Sequence, residues 1–169
     1  MAAARPGLGT DRPRTEGRGL DGPERAALLR LADHLAGFLP AVHGARQLVH
    51  GDFNPKNLLV RRGAGAGWAV AAVLDWEFAY SSTPLADVGN MLRFSDEHPP
   101  GFGAGFVAGF RAHGGQLPAR WREISRAVDL YALADLMTRP DEHPYVARAL
   151  DRIRRQLGPP ADEPDREAD

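Results

Sequence analysis

Apolar residues recur at helical spacing near the start of the chain and again throughout its second half. A helix that begins around Pro23 and ends by Pro40 is predicted by apolar residues that share one helical face: Leu28, Leu31, Leu35 and Phe38. After Pro84 the same spacing predicts four more helices, near residues 85–94, 102–113, 118–137 and 145–157. Helices therefore account for most of the predicted structure.

The middle of the chain has the pattern of short strands instead. Residues 47–49 and 58–61 are short runs suited to strands, and the second is followed by a glycine-rich turn at 63–67. The segment 68–74 consists mainly of Ala and Val with one Trp, which predicts a buried strand paired back across that turn in a hairpin. The predicted fold class is α+β and mostly helical, with a small β-hairpin.

Composition sets the extent of the ordered domain. Residues 1–19 mix Arg, Gly and Pro with few large apolar side chains, and residues 159–169 are rich in Pro, Asp and Glu. Such segments bury too little apolar surface to offset the entropy lost on ordering. We therefore expect a flexible arm at 1–19, one domain at 20–158 and a disordered tail at 159–169.

The charge balance and the missing residue types exclude several function classes. The chain has 21 basic and 22 acidic residues among 169, so no overall charge favours nucleic acid or an anionic membrane as a partner. It has no cysteine, which excludes disulfides and Cys-ligated zinc, and its six histidines lack the spacing of a zinc site. No apolar run is long enough for a signal peptide or a membrane span, so a cytoplasmic protein is predicted.

Three oxygen-bearing side chains flank the predicted hairpin. Asp52 and Asn57 lie in the polar loop between two strands, and their five-residue spacing is that of a kinase catalytic loop. Asp75 follows the third strand, where a carboxylate would reach the same cleft. Phosphoryl transfer needs a carboxylate beside the attacking hydroxyl and oxygen ligands for magnesium. The three residues together predict that chemistry, whereas each alone would more often be a turn former, a cap or a solvated charge.

The motifs His50-Gly51-Asp52 with Asn57, and Leu74-Asp75-Trp76-Glu77, resemble those of aminoglycoside phosphotransferases and their choline-kinase-like relatives. The resemblance extends over about 49–94. It implies the C-terminal lobe of a protein-kinase-like fold that uses ATP and Mg²⁺ to phosphorylate a small-molecule acceptor. By this resemblance Asp52 is the catalytic base, Asn57 and Asp75 bind magnesium, His50 braces the loop, and Asp87 holds the following helix against it.

Kinases of this type also grip ATP with a glycine-rich loop and a strand lysine in an N-terminal lobe. The single lysine of this chain, Lys56, lies in the catalytic loop, and the G-x-G-x-x-G match at 17–22 follows no strand. We therefore expect the ATP-clamping lobe to be absent, the chain to be a truncated form, and nucleotide binding and activity to be weak. A noncatalytic kinase remnant that binds a partner, or assembly with a separately encoded N-terminal lobe, are the alternatives.

The acceptor is not identified by the sequence. In the family that the motifs resemble, helices after the second motif line the acceptor site. Candidate contacts on them are Glu123, Asp129, Asp135 and Trp121. An ordinary solvated position is the better expectation for each of these four residues.

Overall fold

A computed structural model of the protein describes residues 19–63, 67–139, 143 and 145–158. These residues form five helices and four short strands, so the predicted mixed and mostly helical class is confirmed. The helices are α1 (Gly22–Ala36), α2 (Leu85–Leu92), α3 (Phe102–Ala112), α4 (Trp121–Leu136) and α5 (Val146–Leu157). The strands are β1 (Gln47–Val49), β2 (Leu58–Arg62), β3 (Trp68–Val73) and β4 (Tyr80–Ser82). The predicted tail, and the predicted arm except Gly19, lie outside the described residues.

Helix α1 begins with a reciprocal cap. The Asp21 side chain accepts the Glu24 N–H at 2.7 Å, and the Glu24 carboxylate accepts the Asp21 N–H at 2.9 Å. The Arg154 guanidinium of α5 also donates to Glu24 at 2.6 Å. The hydrogen bond from Arg154, and then that from the Asp21 backbone, hold the pKa of Glu24 below its usual value. Because the folded-state pKa is lowered, this contribution to stability is present above the ordinary glutamate pKa and is lost as the pH falls from there through the lowered pKa of the folded state.

The four strands form two separate antiparallel ladders. Strand β2 pairs with β3, with Leu58 opposite Val73, so the predicted hairpin is confirmed. Strand β1 pairs with β4, with Val49 opposite Tyr80, and β4 was not predicted because three residues carry too little pattern. The prediction of a buried strand at 68–74 was wrong, since Trp68 is 67% exposed and Val70 58% exposed. A two-stranded ladder buries a face only where another element covers it, and no described element covers this one.

Helix α4 is the centre of the core. It contributes Leu133 to a cluster with α5, Ile124 to a cluster with α2, and Leu130 to a cluster with α1. Its contact with α2 is close, because a Cβ placed on Gly89 of α2 would lie 2.8 Å from the Ser125 carbonyl oxygen of α4. Helix α2 comes after the strands in the chain and reaches the polar loop. Its packing against α4 therefore fixes its position relative to that loop.

A buried ion pair also joins α2 to α4. The Arg93 guanidinium, just after α2, donates to Asp129 of α4 at 2.6 Å, and their side chains are only 9% and 4% exposed. Arg93 also donates to the Asn90 side-chain oxygen at 2.5 Å. A buried charge is tolerated only when paired and hydrogen-bonded, and both conditions hold here.

No helix among the described residues is long and apolar enough to cross a membrane.

Removal of one partner of the buried ion pair is expected to destabilise the fold. Asp129→Ala leaves Arg93 buried without its counter-ion, so the free energy of unfolding should fall by about 3–5 kcal/mol. Asp135→Ala removes the carboxylate of an exposed pair on the same helix and should cost less than about 1 kcal/mol. Urea denaturation of the two variants makes the comparison, and equal losses would contradict the importance assigned to the buried pair.

Candidate active site

The polar loop runs from the end of β1 to the start of β2. His50 leaves β1 almost completely buried, and Gly51 then adopts φ +81°, a left-handed conformation that side chains disfavour. A single 3₁₀ turn at Pro55–Asn57 leads directly into β2. The Asn54 side chain starts this turn by accepting the Lys56 N–H at 3.2 Å. The loop therefore reverses over a few residues and brings its polar side chains together.

Asp52 is the centre of this loop. Its Oδ1 accepts the Asn54 side-chain amide at 2.9 Å, and its Oδ2 accepts the Asn57 amide at 3.2 Å. The Lys56 ammonium lies 3.8 Å from the same Oδ2. The Asp52 side chain remains 29% exposed, so the carboxylate is oriented by its neighbours yet accessible to a ligand.

The His50 ring links the loop to the segment that follows β3. Its Nδ1 lies 3.3 Å from the Asp52 N–H and acts as the acceptor, so Nε2 carries the proton that is donated to the Leu74 carbonyl at 2.7 Å. The Trp76 ring packs on the imidazole, with ring centroids 4.8 Å apart. This geometry requires the neutral Nε2–H tautomer, because a proton on Nδ1 would oppose the Asp52 N–H.

Helix α2 holds the loop from the other side. The Asp87 carboxylate accepts the N–H groups of His50 at 2.7 Å and of Gly51 at 3.0 Å. The Asn90 amide donates to the Gly51 carbonyl at 3.1 Å. Asp87 and Asn90 are one helical turn apart, so they lie on the same face of α2. That face holds the N–H groups of His50 and Gly51 and also the Gly51 carbonyl.

Asn57 and Asp75 are brought together by the β2–β3 hairpin. The Leu74 N–H donates to the Asn57 carbonyl at 2.9 Å, so the pairing continues beyond Val73 and Asp75 follows next to the loop. Asp75 is exposed and adopts φ 66°, a strained backbone conformation for a residue with a side chain. The Asn57 amide nitrogen donates to the Asp52 main-chain carbonyl at 2.9 Å and to its carboxylate at 3.2 Å, and the Asn57 side-chain oxygen accepts no hydrogen bond from the described residues.

A cavity of about 410 Å³ opens beside Asp52. Gly51, Asp52, Asn54 and Lys56 form one wall, and the end of α4 and the start of α5 form the other. Of the four candidate acceptor contacts, Asp135 lines this cavity, whereas the other three do not. Asp129 is paired with Arg93, Glu123 is paired with Arg120, and Trp121 packs in the core against α2.

Comparison with known proteins places this arrangement in a family. A family model described as the phosphotransferase enzyme family (APH) matches residues 3–124, well over half of the chain. The chain belongs to the phosphotransferase enzyme family. No curated protein sequence matches this member of the family.

Two solved structures of a thermostable mutant of the aminoglycoside phosphotransferase APH(4)-Ia share the fold. The ternary complex with AMP-PNP and hygromycin B has a TM-score of 0.58 and 21% identity, with 82% of this chain and 45% of that chain covered. The apo form has a TM-score of 0.50 and 24% identity, with 83% and 47% covered. The chain thus spans a little under half the length of these phosphotransferases.

The side chains beside the loop fit a magnesium ion that nucleotide phosphates help to hold. Mg²⁺ takes oxygen ligands, commonly one or two from protein side chains with phosphates and water completing the shell. Asn57 and Asp75 offer an amide oxygen and an exposed carboxylate of this kind. Within the described residues no group of three or more His, Cys, Asp or Glu could hold a metal ion, so a dedicated all-protein metal site is not found there.

Two residues of the site were missed from the sequence. Asn90, which anchors Gly51, lies three positions after Asp87 on α2, and this helical spacing was the available signal. Tyr145 has its hydroxyl 3.4 Å from the Lys56 ammonium, and it lies far away in the sequence at the start of α5. No local sequence pattern indicates a contact such as that between Lys56 and Tyr145.

We expect Gly51→Ala to disrupt the loop. A Cβ there would lie 2.3 Å from the Phe78 carbonyl oxygen, in addition to the cost of the left-handed backbone, which is about 1–2 kcal/mol. Thermal unfolding should show a loss of at least that size. Gly44→Ala is the matched control, because its Cβ meets nothing within 4 Å and should change the stability by less than about 0.5 kcal/mol. Similar unfolding temperatures for the two variants would refute this account.

Proposed function

We propose that residues 20–158 are the catalytic lobe of an ATP-dependent phosphotransferase that transfers the terminal phosphate to a hydroxyl of a small polar molecule. The observation that carries the proposal is the Asp52 carboxylate, held by two amides and open to a ligand-sized cavity. Membership of the phosphotransferase family supports it. The resemblance of the fold to a phosphotransferase crystallised with AMP-PNP and hygromycin B agrees with it.

Asp52 is the catalytic residue in this proposal. An acceptor hydroxyl in the cavity would donate its hydrogen bond to the carboxylate, which orients the oxygen for attack. The carboxylate would take the proton as the bond from that oxygen to the terminal phosphorus forms and the bond from the phosphorus to the leaving ADP breaks. The amides of Asn54 and Asn57 fix the direction of the carboxylate before the acceptor arrives. Phosphoryl transfer depends mainly on such positioning and on charge stabilisation.

Asn57 and Asp75 would hold magnesium together with the nucleotide. A bound Mg²⁺ would neutralise charge that develops on the transferring phosphate. The Asn57 amide would serve two purposes, since its nitrogen donates to Asp52 and its oxygen is left for the metal ion. His50 and Asp87 are positioning residues, because they contact the loop backbone and not the reacting groups.

We also propose that the N-terminal, ATP-clamping lobe of the family is not part of this chain. The only lysine, Lys56, contacts Asp52, so it is not free to pair with nucleotide phosphates from a separate strand. The nucleotide clamp would then have to come from outside these residues. We expect the isolated chain to bind nucleotide weakly and to transfer phosphate slowly.

The catalytic assignment predicts a specific effect of Asp52→Asn. Slow Mg²⁺-dependent release of ADP from ATP, measured with a panel of hydroxylated small molecules, should fall by about 10²–10⁴-fold, the usual contribution of a general base. Asp33→Asn changes an exposed acid on α1, away from the loop, and should leave the rate unchanged. Equal rates for wild type and Asp52→Asn would rule out Asp52 as the base.

Nucleotide binding separates this proposal from a noncatalytic module. Calorimetry with ADP and Mg²⁺ should detect weak binding that Asp75→Asn reduces by at least about tenfold, as expected when one metal ligand loses its charge. Asp33→Asn again serves as the control. Absence of nucleotide binding, both alone and with a copurifying N-terminal lobe, would favour the noncatalytic alternative.

A further inference from the structure

The cavity beside Asp52 has a composition that restricts its ligand. Its far wall is formed by Asp135 at the end of α4, Arg139 shortly after it, Tyr145 just before α5 and Arg148 within α5. At about 410 Å³ it lies in the range of small-molecule sites. If the proposed function holds, this cavity receives the acceptor.

Both carboxylates in the described wall already face a cation of the same chain. The Lys56 ammonium lies 3.8 Å from Asp52, and the Arg139 guanidinium lies 3.2 Å from Asp135. Asp52 is in addition the residue that would contact the reacting hydroxyl. An acceptor with ammonium groups would therefore have to displace Lys56 or Arg139 to reach a carboxylate in this wall.

Hydrogen-bond donors, by contrast, are abundant and accessible. The side chains of Lys56, Arg139 and Arg148 are 55%, 46% and 47% exposed. A guanidinium carries five N–H donors, and Arg148 uses one nitrogen to bind Glu97 while its plane stacks on the Phe94 ring at 4.4 Å. Arg139 and Arg148 each use one terminal nitrogen for their present partner, so their other N–H groups can bind a ligand anion without displacing that partner.

Lys56 is held at the junction of the catalytic loop and the far wall. Its ammonium is 3.4 Å from the Tyr145 hydroxyl and 4.8 Å from the centre of that ring, in addition to its contact with Asp52. A cation at this point faces both the reacting carboxylate and the body of the cavity. It adds a third positive group to the two arginines of the opposite wall.

We infer that the acceptor is a hydroxylated small molecule that carries a carboxylate or phosphate group, and not a polyamine; this rests on the proposed function, because it treats the cavity as the acceptor site. The anionic group binds Arg139 and Arg148, and a hydroxyl of the same molecule reaches Asp52. The cavity volume of about 410 Å³ is in the range that holds a molecule the size of a monosaccharide derivative.

The single lysine allows a binding test that needs no catalysis. Acylation of Lys56 in the full chain, followed by mass spectrometry, reports on occupancy of the cavity, and acylation of the N-terminal amine provides an internal reference. Glucose 6-phosphate and glucuronate are the anionic probes, glucose the neutral one, and glucosamine and hygromycin B the cationic ones. Inorganic phosphate at the same ionic strength controls for simple anion binding.

We expect at least one anionic probe to slow acylation of Lys56 at least about fivefold, while the neutral and cationic probes and inorganic phosphate leave it unchanged. Arg139→Gln and Arg148→Gln should each raise the probe concentration needed for this protection at least about tenfold. Arg155→Gln is the matched control, since Arg155 lies on the same helix as Arg148 and is also ion-paired and exposed, but does not line the cavity.

Three results would overturn the inference: better protection by glucosamine or hygromycin B, equal protection by inorganic phosphate, or no protection by either anionic probe. The acylation experiment contains no ATP, so its result does not depend on catalysis. Failure of the proposed function is detected separately, by the transfer assay. If anions protect Lys56 but Asp52→Asn does not change the rate of transfer, the anionic site stands and the catalytic role of Asp52 is wrong. The reverse result would retain the catalytic assignment and exclude an anionic acceptor.

Discussion

The Asp87 carboxylate is the contact on which the rest of the site depends. It accepts two successive main-chain N–H groups, those of His50 and Gly51, at the point where the chain turns out of β1. Charge-assisted hydrogen bonds of this kind are among the stronger ones in proteins. With Asn90 on the Gly51 carbonyl, they fix the turn that presents Asp52 to the cavity.

Helix α2 can act as this support only because α4 holds it firmly. The buried pair of Arg93 and Asp129 connects the two helices. Arg93 also donates a hydrogen bond to Asn90, whose amide donates to the Gly51 carbonyl of the loop. The packing around Gly89 and the cluster with Ile124 add apolar contacts to the same interface. The orientation of a partly exposed loop is in this way tied to the helix that contributes to all three apolar clusters of the core.

The sequence predicted the helices and the hairpin well, because apolar periodicity and glycine-rich turns are local signals. The predictions from sequence failed where tertiary packing decides whether a residue is buried or which residues it contacts. The apolar segment at β3 was expected to be buried, but pattern cannot tell whether another layer covers a strand. Motif spacing singled out Asp52, Asn57 and Asp75, and the hairpin places them around the loop. Asn90 and Tyr145 reach the site through tertiary packing, which leaves no mark on local spacing.

The ladder between β1 and β4 has a consequence for how the site assembles. It joins the segment that enters the loop to the segment that follows Asp75, although these are far apart in the chain. Formation of this ladder closes the chain between its two strands, which includes the β2–β3 hairpin, and so carries the entropy cost of closing a long loop. We therefore expect the loop and the Asp75 segment to order together, with amide protons that exchange with solvent as a single unit.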